Sequence, residues 1–231
     1  MNKGHPFHFF GCAVALWFGV IFTSTSGFAL DVPRSGILLE IVSQCLEPSA
    51  PNYCTACMAP RADARCQGAP QCTKSTEVWA MNEQYVAMRD IKMCACPSEF
   101  VHGLALPRYP VTGVEDPKRP AGIWKFAWDV AISRMEPQSI ALVVNPQFRR
   151  SQNQLHVHLL RLKIEAQIIS NNYLAGYVDQ LEEVWHVAEK GARKQGLGDY
   201  GVLVKKADGG KFAVYISSES PEGLFTQATC R

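Results

Sequence analysis

Charged residues are few and nearly balanced in this chain of 231 residues: they make up 19% of it, and the formal net charge is +2. The sequence has no block of like charges and no concentrated basic patch, which a nucleic-acid-binding surface would need. It also has no internal repeat and no low-complexity segment. We therefore expect no nucleic-acid partner. With 47% hydrophobic residues, the chain can form one ordinary domain with a real core.

A hydrophobic run long enough to span a bilayer is also missing. The apolar run at residues 9–22 would rise roughly 21 Å as a helix, which is shorter than the ~20 residues that usually cross a membrane. Lys3 precedes this run and small residues up to Ala29 follow it, which is the order of a secretory signal. We expect residues 1–29 to be a signal peptide cleaved after Ala29 or, if uncleaved, an N-terminal membrane anchor. Residues 30–231 would then form an exported domain.

The cysteines do not form a complete zinc-binding pattern. Cys54 and Cys57 have the two-residue gap of a zinc knuckle, but no second pair with this spacing completes the site. Of the nine cysteines, eight follow Cys12, and an even number behind an export signal favours disulfides over zinc. Their connectivity stays open. Residues 46–74, which are rich in cysteine and have little periodicity, are predicted to be a loop held by disulfides.

The rest of the sequence alternates between helical and extended patterns. Apolar spacing predicts helices at 36–45, from Pro120 onward and at 177–194, with strands at 77–89, 100–106, 139–144 and 153–162 and a hairpin of 201–205 with 212–216. Gly209 and Gly210 permit the positive φ angles of the hairpin turn. This mixture predicts an α+β domain on an antiparallel sheet with flanking helices.

The candidate site lies in the strand predicted at 153–162. Side chains alternate between the faces of a strand, so Gln154, His156 and His158 share one face. Burial of such a row without partners would be costly, and we therefore expect it to line a cleft. A neutral imidazole can attack phosphorus, while neighbouring groups donate hydrogen bonds to the phosphoryl oxygens. Ser151 and Arg150, in the preceding loop, are candidate phosphate ligands.

Two other interpretations of this row remain open. A pair of histidines on a strand also suits zinc, for which His102 and His186 are the further candidate ligands, both distant in sequence. In the second interpretation the row has only a structural role. His186, on a predicted helix, is also expected to be structural.

The same segment resembles the signature of the histidine-triad superfamily, in which three histidines alternate with apolar residues and the middle one is the nucleophile. That position is His156, His158 is the third, and Gln154 stands in place of the first. Asn145 after an apolar strand and the segment at 102–108 resemble the superfamily's strands around the nucleotide site.

Within this superfamily the chain resembles the bacterial CDP-diacylglycerol pyrophosphatases. The collinear features are Cys45-Leu46, the motif at 85–90, the tryptophans at 124 and 128, the segment at 151–158, Tyr200-Gly201 and Cys230. The resemblance implies hydrolysis of CDP-diacylglycerol to CMP and phosphatidate without a metal or other cofactor, at the periplasmic surface of the inner membrane. It implies His156 and His158 as catalytic residues, and Gln154, Asn145, Ser151, His102 and Arg150 as substrate-binding residues.

The resemblance carries further expectations, and compared with the family the cysteine-rich residues 46–74 look like an insertion. It implies a Cys45–Cys230 disulfide, because both residues flank the domain, and a homodimer is one of the assemblies to expect. The alternatives are a related hydrolase or nucleotidyl transferase acting on a soluble nucleotide conjugate, and a non-catalytic exported nucleotide-binding module in which Gln154 marks lost activity.

Overall fold

The computed structural model describes Met1 and residues 36–46, 77–93, 96–97 and 99–230. The predicted signal peptide or anchor at 1–29 and the cysteine-rich insertion at 46–74 lie outside the described residues, apart from Met1 and Leu46. None of the helices in the described ranges combines the length and the apolarity that a membrane crossing needs.

The fold is α+β, as the sequence predicts, with eight strands in one antiparallel sheet of order β1-β2-β3-β5-β4-β7-β8-β6. The strands are β1 (Val78–Met81), β2 (Tyr85–Arg89), β3 (His102–Pro107), β4 (Ile140–Val144), β5 (Val157–Arg161), β6 (Leu174–Val178), β7 (Gly201–Lys206) and β8 (Phe212–Ser217). The helices are α1 (Ile37–Glu40), which continues as a π-helical turn at Ile41–Cys45, α2 (Ile123–Ala131), α3 (Val184–Gln195) and α4 (Pro221–Phe225).

Most of the predicted elements are confirmed. The helix at 36–45, the strands at 77–89, 100–106 and 139–144, and the final hairpin all form close to their expected positions. Gly209 and Gly210 have φ angles of 68° and 83°, which glycine adopts without steric cost. The helix expected from Pro120 onward begins at Ile123.

Two predicted elements differ from the structure. The helix predicted at 177–194 begins only at Val184, because Tyr177 and Val178 belong to β6 and pair with Ala213 and Phe212 of β8. Sheet pairing overrides helical spacing here. The strand predicted at 153–162 begins at Val157, so the residues before it belong to the preceding loop.

One face of the sheet carries the main core beneath α2 and α3. Trp124 of α2 is fully buried and packs edge-on against Trp185 of α3, with 4.7 Å between ring centroids. Trp128, one turn further along α2, packs against Phe212 of β8 at 4.8 Å. Aromatic pairs of this kind add to the free energy of burial. The helices therefore leave the opposite face of the sheet available for the site.

The opposite face carries two separate apolar clusters. In the first, α1 and its π-helical turn lie on β1, β2 and β3. In the second, apolar side chains from the segment after β5 and from α4 pack against β4, β7 and β8. Strand β5 runs between the two clusters, where Leu104 of β3 and Val143 of β4 are the neighbours of His158. Side chains of paired residues share a face, so the side chain of His158 lies between the two clusters, at the bottom of the gap that separates them.

Candidate active site

His156 lies at the entrance to β5, and a backbone carbonyl fixes its ring. It is 8% exposed, and its Nδ1 lies 2.7 Å from the carbonyl oxygen of Gln154. A carbonyl oxygen only accepts hydrogen bonds, so Nδ1 carries the proton. The neutral ring therefore keeps an unshared electron pair on Nε2, the atom that a histidine nucleophile uses in this orientation.

His158 belongs to a hydrogen-bonded chain with His102 of β3. His158 Nδ1 lies 3.0 Å from His102 Nε2, and His102 Nδ1 lies 3.0 Å from the carbonyl oxygen of Ala228. By the same argument His102 carries a proton on Nδ1. If His102 is neutral, its Nε2 accepts from His158, and His158 Nε2 is left without a proton. The protonation of the pair is thus set from the C-terminal segment.

Glu222 of α4 closes this cluster, and the sequence analysis missed it. One carboxylate oxygen lies 3.5 Å from His158 Nε2, and the other lies 3.8 Å from His102 Nε2. Asp90 adds a second carboxylate 3.7 Å from His102 Nε2. With both histidines neutral, His158 Nε2 and a carboxylate oxygen would face each other as two acceptors. His158 Nε2 accordingly has no hydrogen-bond partner among the described residues, and a proton or a cation between the two atoms would remove this mismatch.

A divalent cation is chemically compatible with this cluster. One ligand atom each from His102, His158 and Glu222 lie within 4.8 Å of one another, and imidazole and carboxylate are ordinary zinc ligands. The zinc interpretation of the sequence thus gains a ligand set that includes His102. His186, its other candidate, is exposed on α3 and is not part of that set.

Asn145 anchors α4 beside the histidines. Its Nδ2 donates to Glu222 at 2.6 Å, and its Oδ1 accepts from Ser220 at 2.7 Å. Gly201 permits this close approach, because a Cβ there would lie 2.7 Å from both the carbonyl oxygen of Val144 and Cδ of Pro221. Asn145 lines the cleft as expected, and its side chain also holds Glu222 and Ser220 in place.

The cleft above the histidines has a volume of about 550 Å³, within the usual range for small-molecule sites. His102, His156 and His158 line it, as do Asn145, Ser151 and Arg150. The structure therefore brings together all but one of the residues predicted for the site. Arg149 and Lys92, both exposed, add positive charge at the rim.

Arg150 is less available to a phosphate than the sequence suggests. Both of its terminal nitrogens donate to the carboxylate of Glu115, and the side chain is buried. This bidentate pair lowers the pKa of Glu115 against the effect of its partial burial. The charge of Arg150 still reaches the site, because it lowers the pKa of His156.

Gln154 is the predicted site residue that the structure does not place in the cleft. Its Nε2 donates to the carbonyl oxygens of Pro107 and Tyr109, both at 2.9 Å, and its Oε1 accepts from the backbone N–H of Val111 at 3.3 Å. It precedes β5, so strand alternation does not direct it beside the histidines. The side chain of Gln154 therefore holds the segment after β3, and its contact with substrate stays a prediction.

Burial keeps the two central imidazoles uncharged. It lowers the pKa of His156 below its ordinary value of 6.5, although the carbonyl of Gln154 and the charge of Glu222 oppose this shift. Burial and the neighbouring His156 and His102 lower the pKa of His158 well below 6.5. Both rings are therefore neutral at pH 7, which is the state in which an imidazole can act as a nucleophile.

The C-terminal segment reaches the cluster through a disulfide that differs from the expected one. Cys230 is bonded to Cys96, with 5.8 Å between their Cα atoms. The expected Cys45–Cys230 pair is therefore wrong, although the side chain of Cys45 itself lies outside the described residues. The pairing follows from the path of the chain, because Thr226 bridges to Leu162 beside β5 and so directs the C-terminus toward β3.

A neutral histidine with a free ring nitrogen, set in a cleft with positive charge at its rim, can act as a nucleophile toward a phosphoryl group. Residues 56–192, more than half of the chain, match the family model for CDP-diacylglycerol pyrophosphatase. The chain belongs to this family and is an enzyme of that activity. The comparison with curated proteins finds no match. The family resemblance is thereby confirmed, whereas membership of the wider histidine-triad superfamily stays a prediction.

Proposed function

We propose that this enzyme hydrolyses CDP-diacylglycerol to CMP and phosphatidate through a covalent intermediate on His156. The observation that carries the proposal is the 2.7 Å contact between His156 Nδ1 and a backbone carbonyl. It leaves Nε2 unprotonated and aims a neutral ring into the cleft. The family match supports the substrate, and the geometry supports the identity of the nucleophile.

In the first step, His156 Nε2 attacks the phosphorus on the cytidine side. A P–N bond forms, the bond from that phosphorus to the bridging oxygen breaks, and the oxygen leaves with the phosphate of phosphatidate. In the second step a water molecule attacks the same phosphorus, the P–N bond breaks, CMP leaves and His156 is regenerated. The proton of the water goes to solvent or to the histidine cluster, so the reaction is balanced without another reactant.

The cluster around His158 stabilises the charge that develops on the phosphoryl oxygens. An additional proton held among His102, His158 and Glu222 gives His158 Nε2 an N–H to donate, and Ser151 and Arg149 line the same cleft. Donors fixed in a buried site are more effective than the same groups in water. These groups need no metal, although the His102, His158 and Glu222 set leaves a divalent cation as the competing source of positive charge.

The direct test measures CMP release from CDP-diacylglycerol by the full chain, with and without a chelator. His156→Ala should lower the rate at least about 10³-fold, and the exposed His186→Ala is the matched control that should retain it. Chelator-resistant activity supports the proton-holding cluster. Loss of activity with chelator, restored by zinc, would favour the metal instead.

A second measurement identifies the intermediate. Substrate labelled on the cytidine-side phosphorus should transfer its label to the wild-type protein in an acid-labile form, as expected for a phosphoramidate, and His156→Ala should take up none. Label that appears only from the lipid-side phosphorus would reverse the assigned direction of attack. Direct attack by water would leave the protein unlabelled with either substrate.

We also propose that the domain works outside the cytoplasm at a membrane surface. The Cys96–Cys230 disulfide supports an oxidising compartment, and the apolar run at residues 9–22 supports export. Fractionation of expressing bacterial cells, with protease added to spheroplasts, tests both points. Protection of the domain from external protease would contradict export.

A further inference from the structure

The cleft has two chemically different sides, and the substrate has the same asymmetry. Along the sheet, the side nearest β2 and β3 carries an apolar wall made of Ile37, Leu38, Ile41, Met88, Met93 and Leu104, next to the charged residues Arg89, Asp90 and Lys92. The side nearest β4 is bounded by polar groups, among them Asn145, Arg149 and Ser151. The histidines lie between them, on β5 and at its entrance.

The apolar wall exists because α1 lies beside the site. Leu38 and Ile41 of α1 and its π-helical turn pack onto Met88 of β2 and Leu104 of β3 in one buried cluster. Leu104 is also the β3 neighbour of His158. The wall is therefore continuous with the floor that carries the histidines. Gln152, at the mouth of the cleft, accepts a weak hydrogen bond of 3.4 Å from the backbone N–H of Leu38, so α1 also contacts the loop before β5.

Resting on the proposed function, we propose that the apolar wall is the binding site for the diacylglycerol side of the substrate, and that the cytidine lies toward β4. A pyrophosphate positioned over His156 places one half of the substrate on each side of β5. The side chains of the apolar wall offer no hydrogen-bonding partners for cytosine and ribose, whereas they suit the first methylene groups of the acyl chains, and the neighbouring Arg89 and Lys92 add positive charge on the same side.

The volume limits how much of the lipid is enclosed. A cleft of about 550 Å³ has the size of a site for a drug-like ligand, and a nucleotide, a pyrophosphate and two long acyl chains together exceed it. The wall therefore contacts only the parts of the acyl chains near the glycerol, and the remainder stays outside the cleft. Affinity should rise with the first few methylene groups and then stop changing.

Ile37 and Leu39 provide a matched pair of substitutions on α1. Both are half-buried and both pack at the margin of the same apolar cluster, but only Ile37 lines the cleft. The experiment compares wild type, Ile37→Ser and Leu39→Ser as full chains in one non-ionic detergent. It measures kcat/KM on CDP-dihexanoylglycerol and the inhibition constant of CDP-glycerol, which lacks acyl chains, against that substrate.

Ile37→Ser should lower kcat/KM on the acylated substrate by about tenfold, the scale on which a hydrophobic pocket discriminates small apolar groups, and should leave the inhibition constant of CDP-glycerol unchanged. Leu39→Ser should change neither by more than about twofold, and equal melting temperatures of the two variants would exclude a difference in folding. Equal losses in both variants, or a parallel loss of CDP-glycerol binding, would overturn the assignment. A higher kcat/KM on the acylated substrate together with tighter binding of CDP-glycerol would also overturn it. That result would mean that another segment of this chain covers the wall. Absence of CMP release by the wild type would refute the proposed function itself.

Discussion

Replacement of Gln154 by histidine would restore the first position of the histidine-triad pattern, yet the structure predicts that this change costs stability and adds no activity. The carboxamide uses two donors and one acceptor on the backbone of Pro107, Tyr109 and Val111. A neutral imidazole has one donor and one acceptor, so at least one of these buried groups loses its partner.

The size of the effect follows from the number of partners lost. A buried polar group left unpaired costs about 1–3 kcal/mol, and a typical hydrogen bond contributes about 1 kcal/mol net. Gln154→His should therefore lower the free energy of unfolding by about 2 kcal/mol, and Gln154→Leu, which removes all three bonds, by about 3 kcal/mol or more. In a domain of this size 2 kcal/mol corresponds to a fall in Tm of about 4–8 °C.

Urea and thermal unfolding, together with CMP release, test this prediction. Gln152→His is the matched control: the hydrogen bond described for the Gln152 side chain is the weak one to Leu38, so we expect a loss below about 0.5 kcal/mol. A Gln154→His protein with unchanged Tm and a higher kcat/KM would refute the reasoning. Gln154 would then be a weakened catalytic group and not a support for the loop.

Four further outcomes follow from the same geometry. Because the pKa of His156 lies below 6.5, kcat/KM should stay constant as the pH is lowered to 6.5 and should decline only below it. An acid limb centred above pH 6.5 would contradict the role proposed for His156. The acid limb should move to lower pH in Glu222→Gln and to higher pH in Arg150→Met, because Glu222 raises that pKa and Arg150 lowers it; shifts in the same direction would count against the cause given. Cys230→Ser should lower the free energy of unfolding by about 2–5 kcal/mol, and reductant should lower the Tm of the wild type by more than that of this variant. Gly201→Ala should lower both Tm and activity, because its Cβ meets backbone that cannot move aside easily, and an unchanged Tm would refute the close packing.

The lowered histidine pKa values also make stability depend on pH. In the folded protein His156 and His158 titrate below 6.5, whereas in the unfolded chain they return to the ordinary value. Between these values the unfolded chain binds more protons, so the free energy of unfolding should fall as the pH drops below about 6.5. Urea unfolding at pH 7.5, 6 and 5 measures this fall, and a stability that rises over this range would contradict the buried neutral rings.

Local pattern predicts much of this fold, since alternation and helical spacing locate most elements to within a few residues. It fails where long-range contacts decide. The edge strand β6 forms because β8 pairs with Tyr177 and Val178, and no feature of residues 177–194 contains that information. His102, His156 and His158 could be predicted as site residues because their residue types and spacing carry chemistry. Glu222 could not, since it lies in a five-residue helix that only the tertiary fold brings beside them.

The start predicted for the strand at 153–162 and the side-chain position predicted for Gln154 differ from the structure for the same physical reason. A continuous strand over residues 153–162 would place the side chain of Gln154 beside those of His156 and His158, and would use the backbone only for pairing with neighbouring strands. In the structure Gln154 precedes β5, so its side chain binds the segment after β3 while its carbonyl accepts from His156. The same residue thus secures a loop with its amide and orients His156, the proposed nucleophile, with its backbone. A backbone carbonyl is present whatever the side chain, and for this reason loss of the first histidine of the pattern is compatible with the function proposed for His156. The change at position 154 is therefore evidence about loop packing, and it is no evidence for lost catalysis.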